Sequence, residues 1–319
     1  MSVAKEKILI TGGTGFVGKH LQEELRKRGA NFFAFGKRDF NLSDRSQADA
    51  VFKKNQDADT ILHFACYQAA GEFPAKHTGD QFFINNLIHT HVLEAWRRFI
   101  PRARFIGIGS SCAYPSDAPV LTEDKLFSGP IHGSVYSYAF TKRLLCTGIV
   151  AYNDQYKLNG SYLMPATMYG EHDDFHADTA HVPGALTARF VRAVKENQPE
   201  VEVWGDGSQV REFMDVKEFV RVLLELMPRC DRDILNVGPG CGKTIKELAL
   251  TIGRAANFSG KIVFNPSRYV GVKEKFMNTD KLSSKYGIRV DAELATGVRR
   301  MVSWYAQNYD ALKDRQKFG

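Results

Sequence analysis

Residues 7–29 read KILITGGTGFVGKHLQEELRKRG, and the order of residue types in them determines the fold class. The run from Lys7 to Thr11 is short and apolar, which predicts a β-strand. After a glycine turn, Val17, Leu21 and Leu25 recur at four-residue spacing, which predicts an amphipathic helix with a glycine stop at Gly29. A strand, a glycine turn and a helix in this order are typical of the first unit of a parallel α/β sheet.

The glycine turn between this strand and this helix has the spacing GxxGxxG, with glycines at 12, 15 and 18. Glycines there let the backbone turn tightly and approach a pyrophosphate, which then sits on the unpaired N–H groups of the helix N-terminus. Because the turn follows the first strand directly, it predicts a dinucleotide site. The predicted cofactor-binding residues of the turn are Gly12, Thr14, Gly15, Phe16, Val17 and Gly18.

The end of the second predicted strand bears on the choice of dinucleotide. NAD enzymes place an acidic residue there on the ribose 2′-hydroxyl, whereas this strand ends Phe35-Gly36-Lys37-Arg38. Two cations fit a 2′-phosphate, and arginine can bind it bidentately. We therefore expect NADPH/NADP, bound by Lys37 and Arg38. The alternative is a solvated basic turn, since Asp39 follows at once.

The remainder of the chain continues the alternation of strands and helices as far as about residue 165. The predicted fold is α/β, a Rossmann-type doubly wound parallel sheet with a smaller α/β substrate-binding region toward the C-terminus. We expect residues 1–168 to form the NADP-binding domain, rejoined by about 212–240, with 169–211 and 241–319 forming the substrate-binding region. Further predicted strands lie at 31–35, 60–65, 104–109, 162–166, 201–204 and 234–238, and predicted helices at 182–196 and 244–256.

Composition narrows the classes of partner. The chain has 319 residues and a formal charge of +7, but its cations are interleaved with acids, so no nucleic-acid partner is expected. No stretch approaches 18 consecutive apolar residues, so we expect no membrane partner and a cytoplasmic location. The five cysteines form no CxxC pair, and the His- and Asp-rich segment 171–181 fits no compact metal site, so no metal is expected.

A second motif is Tyr138-Ala139-Phe140-Thr141-Lys142. On a helix the four-residue step puts Tyr138 and Lys142 on one face, where an ammonium is expected to lower the pKa of the phenol. A side chain that donates a proton to a nascent alkoxide needs such a lowered pKa. Ser110, predicted at the end of a strand, has a hydroxyl that can hold a substrate carbonyl oxygen. These three residue types predict a hydride-transfer site.

Several further segments agree with this order of motifs, and together the chain resembles the GDP-L-fucose synthase family of extended short-chain dehydrogenase/reductases over nearly its full length. The resemblance implies that Ser110, Tyr138 and Lys142 carry a reduction, and that Cys112 and His181 exchange protons in an epimerisation. Otherwise Cys112 is a small buried filler and His181 a helix-start residue. The matching segments are 109–115, 138–142, 164–170, 172–175, 181–182, 203–207, 211–213 and 236–238.

The same resemblance assigns Arg189, Trp204, Arg211 and Lys275 to the nucleotide diphosphate part of the substrate, although each is otherwise an ordinary surface cation or core aromatic. It also implies a homodimer through two long helices, one of which contains Tyr138. The segment Gly238-Pro-Gly-Cys-Gly-Lys243-Thr244 imitates a phosphate loop, but Val237 stands where that motif needs glycine. We interpret it as a glycine turn before a helix.

The chain departs from the family at Thr167, where the usual residue is Asn, at Glu171, where it is Pro, and around Tyr67. The leading hypothesis is an NADPH-dependent epimerase-reductase, an oxidoreductase and isomerase of deoxysugar biosynthesis, acting on a GDP-linked 4-keto-6-deoxy sugar. The alternative is a C4-ketoreductase of a related GDP-sugar, a heptose or a 3-deoxy sugar, with little or no epimerase activity. A non-catalytic NADP-binding regulatory protein is the remote alternative.

Overall fold

The computed structural model describes residues 6–118, 120–268 and 273–313. Its centre is a six-stranded sheet in which every neighbouring pair is parallel, in the order β10-β5-β4-β3-β1-β2. The strands of this sheet are β1 (Lys7–Thr11), β2 (Asn31–Phe35), β3 (Thr60–His63), β4 (Arg104–Ile108), β5 (Gly160–Pro165) and β10 (Ile234–Val237).

Helices cover both faces of this sheet. One layer holds α2, α4 and α5, with α4 packed between the other two, and the opposite layer holds α1 and α7, which pack on each other. Burial from two sides explains why Ile8, Leu9 and Ile10 form a continuous apolar run at 0 to 1% exposure. The bounds are α1 (Phe16–Lys27), α2 (Arg45–Lys54), α3 (Phe73–Lys76), α4 (Thr78–Phe99), α5 (Tyr136–Tyr156) and α7 (Val216–Leu226). The predicted doubly wound fold is confirmed.

Among the described residues, three shorter sheets lie outside the central six-stranded sheet. The pairs are β6 with β9 and β7 with β12, and a three-stranded sheet has the order β11-β8-β13. A second hydrophobic cluster unites α6, α8 and α10. The strands are β6 (Thr167–Tyr169), β7 (Glu200–Trp204), β8 (Val210–Arg211), β9 (Phe213–Asp215), β11 (Lys243–Thr244), β12 (Lys261–Asn265) and β13 (Glu274–Lys275), and the helices α6 (Val182–Lys195), α8 (Ile245–Ala255), α9 (Asp280–Tyr286), α10 (Ala295–Gln307) and α11 (Tyr309–Leu312).

The strand order reverses at β1, because the chain moves to β2 on one side and later to β3 on the other. Ligands of open α/β sheets bind outside the carboxyl ends of the strands at such a reversal. Thr11 of β1 and His63 of β3 end next to each other there, paired in register. The topology thus places the candidate site above these two strand ends and the neighbouring end of β4.

Candidate active site

The glycine turn lies at this reversal point and has the shape of an anion cradle. Gly12 has φ +70°, and a Cβ there would lie 2.7 Å from the Ala65 nitrogen, so only glycine fits the turn. A Cβ on Gly18 would lie 2.4 Å from the Gly13 oxygen. Gly15 is the N-cap residue of α1 and provides no side-chain cap, and it is exposed together with Thr14. The first N–H groups of the helix are therefore open to a pyrophosphate.

The basic turn after β2 adjoins this cradle. A Cβ on Gly36 would lie 2.1 Å from the Thr14 hydroxyl oxygen, so the two turns touch. Lys37 and Arg38 follow and are exposed, whereas the Asp39 carboxylate accepts a hydrogen bond from the Gly36 amide at 2.9 Å. Asp39 is thus engaged with the backbone, and the two cations remain available to a phosphate beside the turn.

Ser110, Cys112, Tyr138 and Lys142 meet at the carboxyl end of β4. The Ser110 hydroxyl caps a short 3-10 turn by accepting a hydrogen bond from the Cys112 amide at 3.2 Å. Tyr138, in the first turn of α5, makes a hydrogen bond with Ser110. One turn later Lys142 is 3% exposed, and its Nζ donates to the Ile108 carbonyl at 2.8 Å. The structure thus brings together four of the five predicted catalytic residues.

The state of Tyr138 differs from the prediction. Burial raises the pKa of its hydroxyl well above the usual value, and the nearby thiols of Cys66 and Cys112 raise it further, while the bond with Ser110 lowers it. The Lys142 ammonium lies 5.7 Å from the centre of the Tyr138 ring and donates to a carbonyl of β4. The predicted net lowering of the Tyr138 pKa is therefore wrong, because burial outweighs the other influences on it, and Tyr138 is a neutral phenol.

His181 comes from a separate segment, where it is the exposed N-cap residue of α6. The loop before it is bonded to the loop after β3, because the Ala70 amide donates to the Thr179 carbonyl at 2.8 Å and the Glu72 amide to the Asp178 carbonyl at 3.1 Å. The same β3 loop carries Cys66. The fold thus draws the His181 segment to the Cys66 side of the site.

The four predicted substrate-binding residues form two pairs. The Arg189 guanidinium lies 5.0 Å from the centre of the Trp204 ring, and its Nη1 donates to the Glu202 carbonyl at 3.2 Å. Burial lowers the pKa of Arg189. Trp204 keeps 45% of its surface exposed, so part of its ring remains accessible to a ligand. Arg211 and Lys275 are paired in register on β8 and β13 and line one small pocket together with Ser111.

The sequence matches the model of the NAD dependent epimerase/dehydratase family over residues 8–238. The chain belongs to this family. It is 31% identical to putative GDP-L-fucose synthase 2 of Arabidopsis thaliana, over 95% of this chain and 92% of that protein. It is 29% identical to GDP-L-fucose synthase of Escherichia coli K12, over 98% of this chain and 100% of that protein.

Two solved structures are similar to this chain in fold. A GDP-L-fucose synthetase from Naegleria fowleri superimposes with a TM-score of 0.88 at 24% identity, covering 98% of this chain and 96% of that one. A GDP-mannoheptose C4 reductase from Campylobacter jejuni with NADP bound superimposes with a TM-score of 0.84 at 26% identity, covering 95% of this chain and 98% of that one. The predicted resemblance to GDP-L-fucose synthases is confirmed, as are the predictions of an enzyme and of a nicotinamide dinucleotide as cofactor class.

Two residues missed by sequence reasoning also belong to the site. Glu212 is 5% exposed, and its carboxylate accepts from the Gly240 amide at 2.8 Å and the Met277 amide at 2.9 Å. Burial raises its pKa to about 7. Arg268 lies 5.6 Å from the Trp204 ring centre. Glu212 could have been found in the sequence as an acid next to Arg211, whereas nothing local in the sequence marks Arg268.

The departures from the family pattern lie at the border of the site. Thr167 lines the pocket of Arg211 and Lys275, and its amide donates to the Glu212 carbonyl at 3.2 Å. Glu171 forms a salt bridge with Lys217 at 2.6 Å, so its carboxylate is paired within the protein.

Throughout the described ranges no group of three potential metal ligands occurs. Within the same ranges no helix is long and apolar enough to cross a bilayer.

Proposed function

We propose that this protein is an NADPH-dependent epimerase-reductase of a GDP-linked 4-keto-6-deoxy sugar. The observation that carries the proposal is the meeting of Ser110, Cys112 and Tyr138 at the end of β4, beside the glycine cradle. Hydroxyls that hold a carbonyl oxygen and a thiol that exchanges a proton are needed by such an enzyme and serve no purpose in a sensor of NADP. The relatives named above support the GDP-sugar, since both carry the name GDP-L-fucose synthase.

The cofactor site uses residues that fit NADPH. The open N-terminus of α1 would hold the pyrophosphate, and Lys37 with Arg38 would hold the 2′-phosphate. When bound, NADPH supplies a hydride to C4 of the sugar. The remaining steps are proton movements made by side chains of this chain.

Reduction needs one proton on the former carbonyl oxygen. Ser110 holds that oxygen by a hydrogen bond, and Tyr138 donates its phenolic proton as the carbonyl becomes an alkoxide. A neutral Tyr138 suits this direction, because burial keeps the proton on the phenol until the alkoxide forms. Lys142, fixed to the Ile108 carbonyl, places a positive charge near the tyrosinate that results.

Epimerisation precedes this reduction, while the ketone still acidifies the hydrogens at C3 and C5. One member of the pair Cys112 and His181 removes a proton, and the other returns a proton to the opposite face of the same carbon. Thiols and imidazoles, with ordinary pKa values of about 8.5 and 6.5, exchange protons readily at neutral pH. The GDP part is held by Arg189 and Trp204 at one end and by Arg211 and Lys275 at the other.

A C4-ketoreductase of a related GDP-sugar is the second candidate. It is favoured by Thr167 on the pocket wall and by the likeness to a GDP-mannoheptose C4 reductase. Here Ser110, Tyr138 and Lys142 act as described, while Cys112 and His181 no longer exchange protons at C3 and C5.

We also propose that the protein forms a homodimer through α4 and α5. Four aromatic side chains on these helices are exposed, and the Phe82 and Phe140 rings lie 6.0 Å apart across the two helices. A cluster of exposed aromatics is typical of a protein contact. The exposed residues are Phe82, Phe83, Tyr136 and Phe140. The cytoplasmic location stays a prediction.

One experiment tests both candidates. The protein is incubated in D2O with GDP-4-keto-6-deoxymannose and NADPH, and deuterium is located in the product by NMR, with NADH and enzyme-free samples as controls. We expect deuterium at C3 and C5 together with oxidation of NADPH. Oxidation without incorporation supports the ketoreductase instead, and neither signal would exclude both activities on this substrate.

A further inference from the structure

Three cationic residues occupy neighbouring positions in the small three-stranded sheet. Arg211 of β8 pairs with Lys243 of β11 on one side and with Lys275 of β13 on the other. Residues paired across neighbouring strands project from the same face of a sheet, with strands about 4.8 Å apart. Lys243, Arg211 and Lys275 therefore form a row, here called the cation row.

Such a row costs folding free energy unless an anion faces it, because like charges directly opposite each other repel. No carboxylate in residues 6–118, 120–268 or 273–313 forms a salt bridge with Lys243 or Lys275. Glu247 is near enough for Lys243 to lower its pKa, but its carboxylate already accepts from the amide and hydroxyl of Thr244. Glu274 is the sheet partner of Val210, on the opposite face. The row thus keeps an excess of positive charge.

The cation row borders the candidate active site. Arg211 and Lys275 line the pocket that also contains Ser111, the residue after Ser110. A substrate whose keto group reaches Ser110 therefore extends toward the row with the part next to the sugar. In a nucleotide sugar that part is the diphosphate, and phosphate oxygens accept charge-assisted hydrogen bonds from both lysine and arginine.

We infer that Lys243 is a third phosphate-binding residue, which holds the diphosphate of the substrate together with Arg211 and Lys275. The identity of the substrate rests on the proposed function, whereas the row itself rests on strand pairing. The inference gives a role to the segment 238–244. Its glycines do not form a phosphate loop, but they lead the chain to a strand that sets Lys243 beside Arg211.

The test measures binding of GDP to the NADP-loaded protein by calorimetry. Lys243→Met is expected to weaken GDP binding about tenfold, the effect of one lost charge-assisted hydrogen bond, and to leave guanosine binding unchanged. Lys243→Arg should retain the affinity. Lys246→Met removes an exposed lysine from the first turn of α8, outside the row, and should bind GDP like the unaltered protein.

Salt dependence gives a second readout, because binding that involves fewer ionic contacts falls less steeply with added salt. We expect a shallower dependence in Lys243→Met. Unchanged GDP affinity in this variant, or equal losses of GDP and guanosine, would overturn the inference. If the unaltered protein binds UDP or inorganic pyrophosphate but not GDP, the proposal of a GDP-sugar substrate is wrong. The same variants titrated with the ligand that binds then still test the role of the cation row. Binding of none of these ligands overturns both.

Discussion

The Tyr138 phenol and the Cys112 thiol lie close enough to influence each other, yet they have different tasks in the proposed reaction. Tyr138→Phe removes the proton donor and should slow NADPH oxidation by about 10² to 10⁴ fold, while solvent deuterium still enters the substrate. Cys112→Ser should slow exchange more than reduction, because a hydroxyl is a far weaker acid than a thiol. Single-turnover NADPH oxidation and NMR of the recovered sugar measure the two steps separately. Equal losses of both steps in both variants contradict this division.

Glu212 supports the substrate site through the backbone. Its two oxygens bind the amides of Gly240 and Met277, so it fixes the segments on either side of Arg211. Glu212→Gln replaces one acceptor by a donor that faces an N–H group, at a cost of about 1 to 3 kcal/mol. We expect KM for the nucleotide sugar to rise about tenfold or more with kcat little changed.

The pH dependence of this effect follows from the pKa of Glu212, which burial raises to about 7. Above that pH the ionised carboxylate accepts both hydrogen bonds, and below it the added proton occupies one of the two oxygens. KM of the unaltered protein should therefore rise as pH falls through 7, and this part of the profile should disappear in Glu212→Gln. A Gln variant with the KM and pH profile of the unaltered protein would contradict the positioning role.

Single residues show where prediction from sequence succeeds. Ser110, Tyr138 and Lys142 were found because short motifs fix their spacing on one strand end and one helix. The predicted lowering of the Tyr138 pKa was wrong, because the motif does not reveal that the phenol is buried. Arg268 reaches Trp204 from a distant segment, and such a contact has no local signal. The roles of the predicted site residues stay predictions.

At the scale of elements, the turn after β2 determines the expected preference for NADPH. Replacing both Lys37 and Arg38 by Ala removes two cations next to the glycine turn, so KM for NADPH should rise at least tenfold while KM for NADH stays within about twofold. The exposed Lys53 of α2 offers a matched control, Lys53→Ala. Steady-state kinetics with both cofactors measures the ratio. A double variant that keeps the preference would assign the 2′-phosphate to other residues.

Elements of the central sheet were predicted well because each is a continuous apolar run. β1 and β2 have the predicted bounds, whereas β3 ends at His63, two residues early. After His63 the chain passes close to the glycine turn, where a Cβ on Gly12 would lie 2.7 Å from the Ala65 nitrogen. β8, β11 and β13 have two residues each, too few for any periodicity, so the cation row was invisible in sequence.

The stability of the whole molecule should depend on two histidines buried beneath the glycine turn. Thr11, His63 and His89 form a hydrogen-bonded chain, 2.7 Å and 2.9 Å between successive partners, within the core. Burial lowers the pKa of His63 to about 3 and that of His89 well below its usual value. Both are neutral in the folded protein, while in the unfolded chain they bind protons below about pH 6.5.

The direction in which the stability of the protein changes with pH follows from this difference in proton binding. Above pH 6.5 neither the folded nor the unfolded state binds these protons, and below pH 6.5 only the unfolded state binds them. The free energy of unfolding therefore falls by about 1.4 kcal/mol for each histidine with every unit by which the pH decreases. Urea unfolding between pH 7.5 and 5 should show this loss, and His89→Leu should reduce the slope. His132→Gln, a histidine outside the core, is the control. Equal slopes in all three proteins would show that the buried pair is not responsible.

The proposed homodimer can be tested on the face formed by α4 and α5. Phe83 is 64% exposed and Phe140 47%, an unusual arrangement for aromatic side chains that face only water. Light scattering of the unaltered protein should give twice the mass of one chain. Phe83→Glu with Phe140→Glu places two carboxylates per protomer in that contact and should give a monomer with an unchanged circular dichroism spectrum. Exchange of the exposed Val194 on α6 for Glu leaves the proposed face intact and should not affect the mass. A monomeric unaltered protein, or a double variant that remains dimeric, would rule out this interface.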